Sequence, residues 1–132
     1  YAGGDYGWDR NGLKPNQVQC PWWDDAWNQG PELVNLMLDR WDYAQDLSFL
    51  KGRTLPMAKE MLLYFDTRFK RDANGKLLVD PTQVVETYWE GVVNDSPVVA
   101  GLHRILERLT ALEAYLDTDL KATVDRLTKA LP

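Results

Sequence analysis

Residues 96–116 read SPVVAGLHRILERLTALEAYL, and this run predicts an amphipathic helix. Its large aliphatic side chains recur at steps of three and four, so they fall on one face of a helix. They are Val98, Leu102, Ile105, Leu109, Leu112 and Leu116. Ser96 is the predicted N-cap, with Pro97 in the first helical position. A further helix is predicted from about Thr118, with an apolar stripe formed by Leu120, Val124, Leu127 and Leu131.

Two earlier segments have the same helical spacing. The first is predicted over residues 31–44, starting between Asp25 and Pro31, because proline is tolerated in a first turn but not further inside a helix. Its predicted buried face is Leu33, Leu36, Met37, Trp41 and Ala44. The second covers residues 47–69, with Asp46 as its cap and a short turn near Gly52 and Pro56 that divides it into two pieces. Its stripe is Ala58, Met61, Leu62, Phe65 and Phe69.

Two segments between these helices break the helical pattern. Asp72-Ala73-Asn74-Gly75, followed by Lys76-Leu77-Leu78-Val79, predicts a tight turn within a small β-hairpin. Residues 80–95 show no periodicity, and long irregular segments inside compact domains are often functional. The predicted fold class is therefore all-α, built from helical hairpins with one small β-hairpin. Because helical hairpins present their loops at one end, residues 22–32 are expected to lie beside residues 83–95.

The composition argues against several classes of binding partner. The chain has 132 residues, enough for one domain core, and a net charge of −5 with no run of Lys or Arg, which argues against nucleic acid as a partner. No apolar run approaches the roughly 20 residues needed to cross a bilayer, so no membrane partner is expected. One cysteine and one histidine, without zinc-like spacing, predict no metal site and no cofactor. The cellular compartment is left open, with an extracellular or periplasmic location as one option.

Aromatic and acidic residues are concentrated in PWWDDAWNQGPE, residues 21–32. A tryptophan offers a flat apolar platform to the C–H face of a sugar ring, while carboxylates and amides can bind its hydroxyls. The predicted binding residues here are Asp25, Trp27, Asn28 and Gln29, joined by Trp8 from a Gly-rich loop arm over residues 1–24. The alternative interpretation is that these tryptophans belong to the core near the start of a helix.

Glu86 is the candidate catalytic residue. Glycoside hydrolysis requires a carboxylic acid that protonates the leaving oxygen and a second carboxylate that acts as base or nucleophile. Glu86 lies near Tyr88 and Trp89 and after two valines, and partial burial among such groups would raise its pKa. The alternative is a solvated loop carboxylate. The other acidic residues of these loops are weaker candidates because each also suits a helix cap or first turn.

The order of these features resembles that of bacterial six-hairpin glycosidases. The similarity covers most of residues 5–112 and is carried by DYGWDR (5–10), WNQGPEL (27–33), LDRWDYAQDLSFL (38–50) and PMAKE (56–60). PTQVVETY, residues 81–88, is similar to the segment that carries the general acid in related inverting α-L-fucosidases. The resemblance implies an (α/α)6 toroid with its site at one mouth. There Glu86 would be the acid, Trp27, Tyr88 and Trp89 would form the walls, and a carbohydrate would be the substrate.

The chain departs from this family in two respects. A toroid of about twelve helices needs two to three times this length, and the family's general base has no counterpart before Pro132. We therefore expect residues 25–132 to be a segment of a hydrolase, inactive alone. Its apolar stripes should be exposed unless they contact the remainder of the barrel or another copy. The alternative is a non-catalytic helical module that binds carbohydrate or protein, in which the stripes of the last two helices close on one another.

Overall fold

Residues 25–84 and 91–132 are described by a computed structural model. The helices are α1 (Gln29–Ala44), α2 (Leu47–Phe49), a π-helical segment (Leu50–Thr54), α3 (Leu55–Arg68), α4 (Ser96–Ala111), a 3-10 turn (Glu113–Tyr115) and α5 (Thr118–Ala130). The strands β1 (Lys70–Arg71) and β2 (Leu77–Leu78) pair antiparallel, with Lys70 opposite Leu78. The predicted class, mostly helical with one small β-hairpin, is confirmed. The predicted loop arm over residues 1–24 lies outside the described residues.

The long helices form two hairpins stacked side by side. Hairpin 1 consists of α1 and α3, and hairpin 2 consists of α4 and α5. Near the starts of α1 and α4, the Asn35 amide donates to the Gly101 carbonyl at 3.2 Å. Nearer their ends, Arg108 binds Asp42 at 2.7 Å, so the two helices run parallel. Helices α3 and α5 are also parallel, since Lys59 pairs with Asp119 at 3.1 Å and Asp66 pairs with Arg126 at 2.8 Å.

The core lies between these two hairpins. The α4 stripe is fully buried at Val98, Leu102, Ile105 and Leu109, and the α5 stripe is buried at Leu120, Val124, Leu127 and Leu131. Leu112 and Leu116 are partly buried against the same core. The stripes of α4 and α5 thus close on one another and on hairpin 1. The expectation that they would be exposed unless another chain covered them is wrong.

Helix α1 buries a different face from the one predicted. Val34 and Leu38 are fully buried, whereas Leu33 is 46% exposed and Leu36 is 59% exposed. Of the other predicted residues, Ala44 is exposed, and Met37 and Trp41 are half-buried. Apolar residues occur on most sides of α1, so helical spacing alone did not select a face. The orientation follows from α4, because Asn35 and Asp42 turn toward it.

The segment before α3 is continuous rather than broken by a turn. The Leu55 N–H donates to the Leu50 carbonyl, a π-type bond that carries the chain from α2 into α3. Pro56 is the second residue of α3 and follows the π-helical segment directly. The predicted turn near Gly52 is therefore wrong. The predicted cap is confirmed, since the Asp46 carboxylate accepts from the Phe49 N–H at 3.0 Å.

The β-hairpin forms where it was predicted. The Asp72 carboxylate accepts from the N–H groups of Asn74 and Lys76, both at 2.8 Å, and Gly75 adopts a positive φ of 77°. The Lys76 ammonium donates to the Leu131 carbonyl at 2.7 Å, which fixes the hairpin to the end of α5. Within residues 25–84 and 91–132, no helix combines the length and apolar character needed to cross a bilayer.

Candidate functional site

The candidate site lies at the end of the molecule where α1 and α4 begin and α3 ends, which we call the loop end. Its described residues are 25–28, 69–84 and 91–95. Within each hairpin the two helices are antiparallel, so the start of one helix lies beside the end of the other. In hairpin 2, His103 near the start of α4 lies 3.2 Å from the Pro132 carbonyl beyond α5. The topology therefore gathers the two segments that the sequence predicted to be neighbours.

Two hydrogen bonds join these segments directly. The Trp27 indole N–H donates to the Pro81 carbonyl at 2.8 Å. The Gln83 N–H donates to the Asp25 carbonyl at 2.9 Å. The prediction that the loop before α1 lies beside the loop before α4 is confirmed for these residues.

Trp27 belongs to an aromatic cluster at the loop end. Its ring centroid lies 5.9 Å from that of Tyr64 and 5.7 Å from that of Phe69, which meets it edge-on. The Arg68 guanidinium lies 5.9 Å from the same ring. These contacts support the alternative interpretation of Trp27 as part of the packing near the helix start. The ring is nevertheless only half-buried, so part of it stays accessible to a ligand.

Residues 79–84 and 91–95 are tied together by backbone and side-chain bonds. Thr82 pairs with Val92 in an isolated β-bridge, with the Thr82 N–H 3.2 Å from the Val92 carbonyl. The Asn94 N–H donates to the Val79 carbonyl at 3.0 Å, and the Val79 N–H donates to the Asn94 side-chain oxygen at 2.7 Å. The two chain segments that flank residues 85–90 are therefore held at fixed positions.

Asp95 anchors this region to α4. Its carboxylate accepts from the Val98 N–H at 3.0 Å and from the Thr82 hydroxyl, and the residue is only 3% exposed. The N-cap of α4 is thus Asp95, and the prediction of Ser96 as the cap is wrong. Serine and aspartate both cap well, so the local sequence alone did not separate them. Because both carboxylate oxygens accept hydrogen bonds within the fold, Asp95 has a structural role at this position.

The remaining candidates at the loop end are polar and differently exposed. Asp25 and Asn28 are half-buried, while Gln29 is exposed. Gln83 is a polar side chain that is only 3% exposed, and we did not single it out from the sequence. Its signal was its place in an aperiodic segment, which does not predict burial. Glu86, Tyr88, Trp89 and Trp8 lie outside the described residues.

The shifted titratable groups lie at the opposite end of the hairpins. Hydrogen bonds from the Phe49 N–H, the Ser48 hydroxyl and Arg40 lower the pKa of Asp46 to about 2. The Leu120 N–H and the Lys59 ammonium lower the pKa of Asp117 in the same way. Both aspartates are helix caps, so these pKa shifts have a structural cause. They do not identify a catalytic centre.

The loop end offers amides, a carboxylate and a partly exposed indole within one region, a combination suited to binding hydroxyl groups beside a flat apolar face. Comparison of the chain with protein-family models, curated proteins and solved structures found no match. The resemblance to six-hairpin glycosidases therefore rests on the residues alone.

Proposed function

We propose that this chain is a segment of a glycoside hydrolase whose carbohydrate site is at the loop end, with Glu86 as the general acid. The observation that carries the proposal is the pair of bonds Trp27–Pro81 and Asp25–Gln83. They join the two stretches of sequence whose order resembles that of the six-hairpin enzymes.

The stacking of the hairpins supports the same proposal. In an up-and-down four-helix bundle, sequential neighbours are antiparallel all around the bundle. Here α1 is parallel to α4 and α3 is parallel to α5, as the pairs Asp42–Arg108 and Asp66–Arg126 indicate. Equivalent helices that pack in parallel are what a ring of repeated helical hairpins requires.

The proposed chemistry assigns one step to this chain. Glu86 would hold a proton and donate it to the leaving glycosidic oxygen. In an inverting enzyme, a second carboxylate about 6.5–9.5 Å away activates water on the opposite face of the sugar. Trp27, Tyr88 and Trp89 would form the walls of the site, while Asp25, Asn28 and Gln29 would bind hydroxyls.

The test is hydrolysis by the full-length protein carrying Glu86→Gln, measured as reducing sugar released from a panel of oligosaccharides. The amide keeps the size of the side chain but has no proton to donate, so turnover should fall by about 10²–10⁴-fold. Glu90→Gln is the matched control, because Glu90 is a neighbouring acidic residue. This variant should keep the hydrolytic activity of the wild type. Wild-type turnover by Glu86→Gln would reject the assignment.

One observation favours a second candidate, a non-catalytic helical module that binds carbohydrate. The stripes of α4 and α5 are buried within the described chain, so those stripes have no need of a further hairpin to cover them. Titration of oligosaccharides against tryptophan fluorescence separates the two functions. A binding module would keep its affinity in Glu86→Gln and show no hydrolysis in the full-length protein, whereas a hydrolase would lose turnover.

A further inference from the structure

A shallow groove runs along the outer side of hairpin 1, between α1 and α3. It encloses about 450 Å³. Its apolar lining is formed by Leu33, Met37, Pro56 and Met57. Leu33 is 46% exposed and Met57 is 36% exposed, so both apolar side chains face solvent. Apolar surface that is both exposed and contiguous is typical of an interaction site.

The exposed apolar surface is restricted to one hairpin. Among the described residues of the four long helices, the exposed large hydrophobic side chains belong to α1 and α3 and none to α4 or α5. They are Leu33, Leu36, Tyr43, Met57, Leu63 and Tyr64. A head-to-tail contact would need a second surface of different shape that fits the groove. A contact of the groove with the same groove needs only one.

The charges at the groove complement one another in such a contact. Because α1 and α3 are antiparallel, with Gly30 beside Met61, the lining residue Glu60 lies toward Leu33 and the lining residue Arg53 lies toward Met37. The two charges are seven residues apart, which is about 10 Å along a helix. The ion pairs among the described residues involve neither of them.

We propose that this groove is the interface of a dimer, in which a second copy of the chain packs through the same groove about a two-fold axis. A two-fold rotation about the middle of the groove brings Glu60 of each copy to Arg53 of the other. Such an interface is closed, so it yields dimers rather than filaments. The proposal does not depend on the proposed hydrolase activity.

The size of the surface indicates a weak, reversible contact. Helix α1 has 16 residues and is therefore about 24 Å long, and two packed helices are about 20 Å wide. A contact of this size buries roughly 1,000 Å² over both copies, the low end for a specific interface. We therefore expect dissociation in the micromolar range. The dimer should form and dissociate as the protein is concentrated and diluted.

The first experiment is sedimentation of the purified chain over a series of concentrations spanning roughly the micromolar range. Leu33→Glu should weaken the dimer by about a hundredfold or more, because it buries an unpaired carboxylate. Val93→Glu is the matched control, since this valine is 44% exposed but lies at the loop end and does not line the groove. Circular dichroism checks that both variants are folded. Equal weakening by the two variants would overturn the proposal.

A charge exchange tests the two-fold geometry. Arg53→Glu and Glu60→Arg should each weaken the dimer by roughly tenfold, because each creates two like-charge contacts across the axis. The double variant restores two opposite-charge contacts and should recover most of the wild-type affinity. Failure of the double variant to recover would overturn this arrangement. A wild-type chain that stays folded and monomeric at all concentrations would overturn the proposal.

Discussion

Hairpin 1 and hairpin 2 are similar in length, but the side chains on their outer sides differ in polarity. Hairpin 2 buries its large aliphatic residues and presents polar side chains such as His103, Lys121 and Asp125 to solvent. Hairpin 1 contributes Val34, Leu38 and Phe65 to the shared core and also exposes Leu33 and Leu36. The difference is that the outer side of hairpin 2 is polar, while hairpin 1 has a second apolar surface available for contact.

The largest expected effect compares one leucine from each hairpin. Leu127 on α5 is fully buried, so Leu127→Ala should lower the free energy of unfolding by about 2–5 kcal/mol through lost contacts and a residual cavity. Leu36 on α1 is 59% exposed, so Leu36→Ala should change it by less than about 0.5 kcal/mol in the monomer. Urea unfolding of both variants measures the contrast. Equal losses would contradict the proposed difference between the hairpins.

The second effect compares the caps of the first helix in each hairpin. Asp95 caps α4 and accepts from the buried Thr82 hydroxyl, so Asp95→Ala should cost about 2–4 kcal/mol. Asn28 precedes α1 in a helical conformation and makes no side-chain cap bond, so Asn28→Ala should cost less than about 0.5 kcal/mol. Thermal unfolding reports both. A larger loss for Asn28→Ala would show that the two helix starts had been ranked wrongly.

The third effect examines the surface where the hairpins meet. A Cβ added at Gly101 would lie 2.9 Å from the Pro31 Cβ, so Gly101→Ala should force α1 and α4 apart and cost roughly 1–3 kcal/mol. Gly52 has no atom within 4 Å of such a Cβ and lies in the helical connection of hairpin 1. Gly52→Ala should therefore be neutral or stabilise by up to about 1 kcal/mol. Chemical denaturation separates the two glycines, and destabilisation by Gly52→Ala would count against this packing.

The smallest effect concerns acid. Asp46 in the connection of hairpin 1 has its pKa lowered from 3.8 to about 2, mainly by the Phe49 N–H. A carboxyl with a lowered folded-state pKa stabilises the fold above its unfolded pKa, and this contribution is lost as the pH falls through the folded value. Asp46→Asn keeps a capping oxygen but cannot titrate, so its melting temperature should fall less steeply than that of the wild type between pH 3.8 and about 2.

Asp117 provides the corresponding test in hairpin 2. Its pKa is lowered first by the Leu120 N–H and then by Lys59, which lies on the other hairpin. Asp117→Asn should also flatten the acid limb of the melting temperature, and salt should reduce the contribution of its ion pair. An unchanged pH dependence in both variants would rule out these caps as the source of acid sensitivity.

The sequence predicted hairpin 2 better than hairpin 1 for a physical reason. In α4 and α5, the apolar stripe is opposed by a polar face, so periodicity identifies which side is buried. In α1, apolar residues surround most of the helix, and the buried face depends on contacts with α4. The Asn35–Gly101 bond spans 66 residues of sequence, and no local pattern reports such a contact.

Some features of the candidate site could likewise be predicted from the sequence, and others could not. The meeting of the two loops followed from hairpin topology, and the Trp27–Pro81 bond confirms it. The burial of Gln83 did not follow, because it depends on neighbours brought together by the fold. Glu86 stays a prediction from the sequence, as do Tyr88, Trp89 and Trp8.

The parallel stacking of the hairpins also determines how the chain must fold. Contacts such as Asn35 with Gly101 and Asp66 with Arg126 join residues 66 and 60 positions apart, while most helical domains rely on local contacts. Each such contact closes a long loop before it gains any stabilisation. The domain should therefore fold more slowly than an up-and-down bundle of its length. Because the core is shared, neither hairpin should survive alone, and unfolding should occur in one cooperative step.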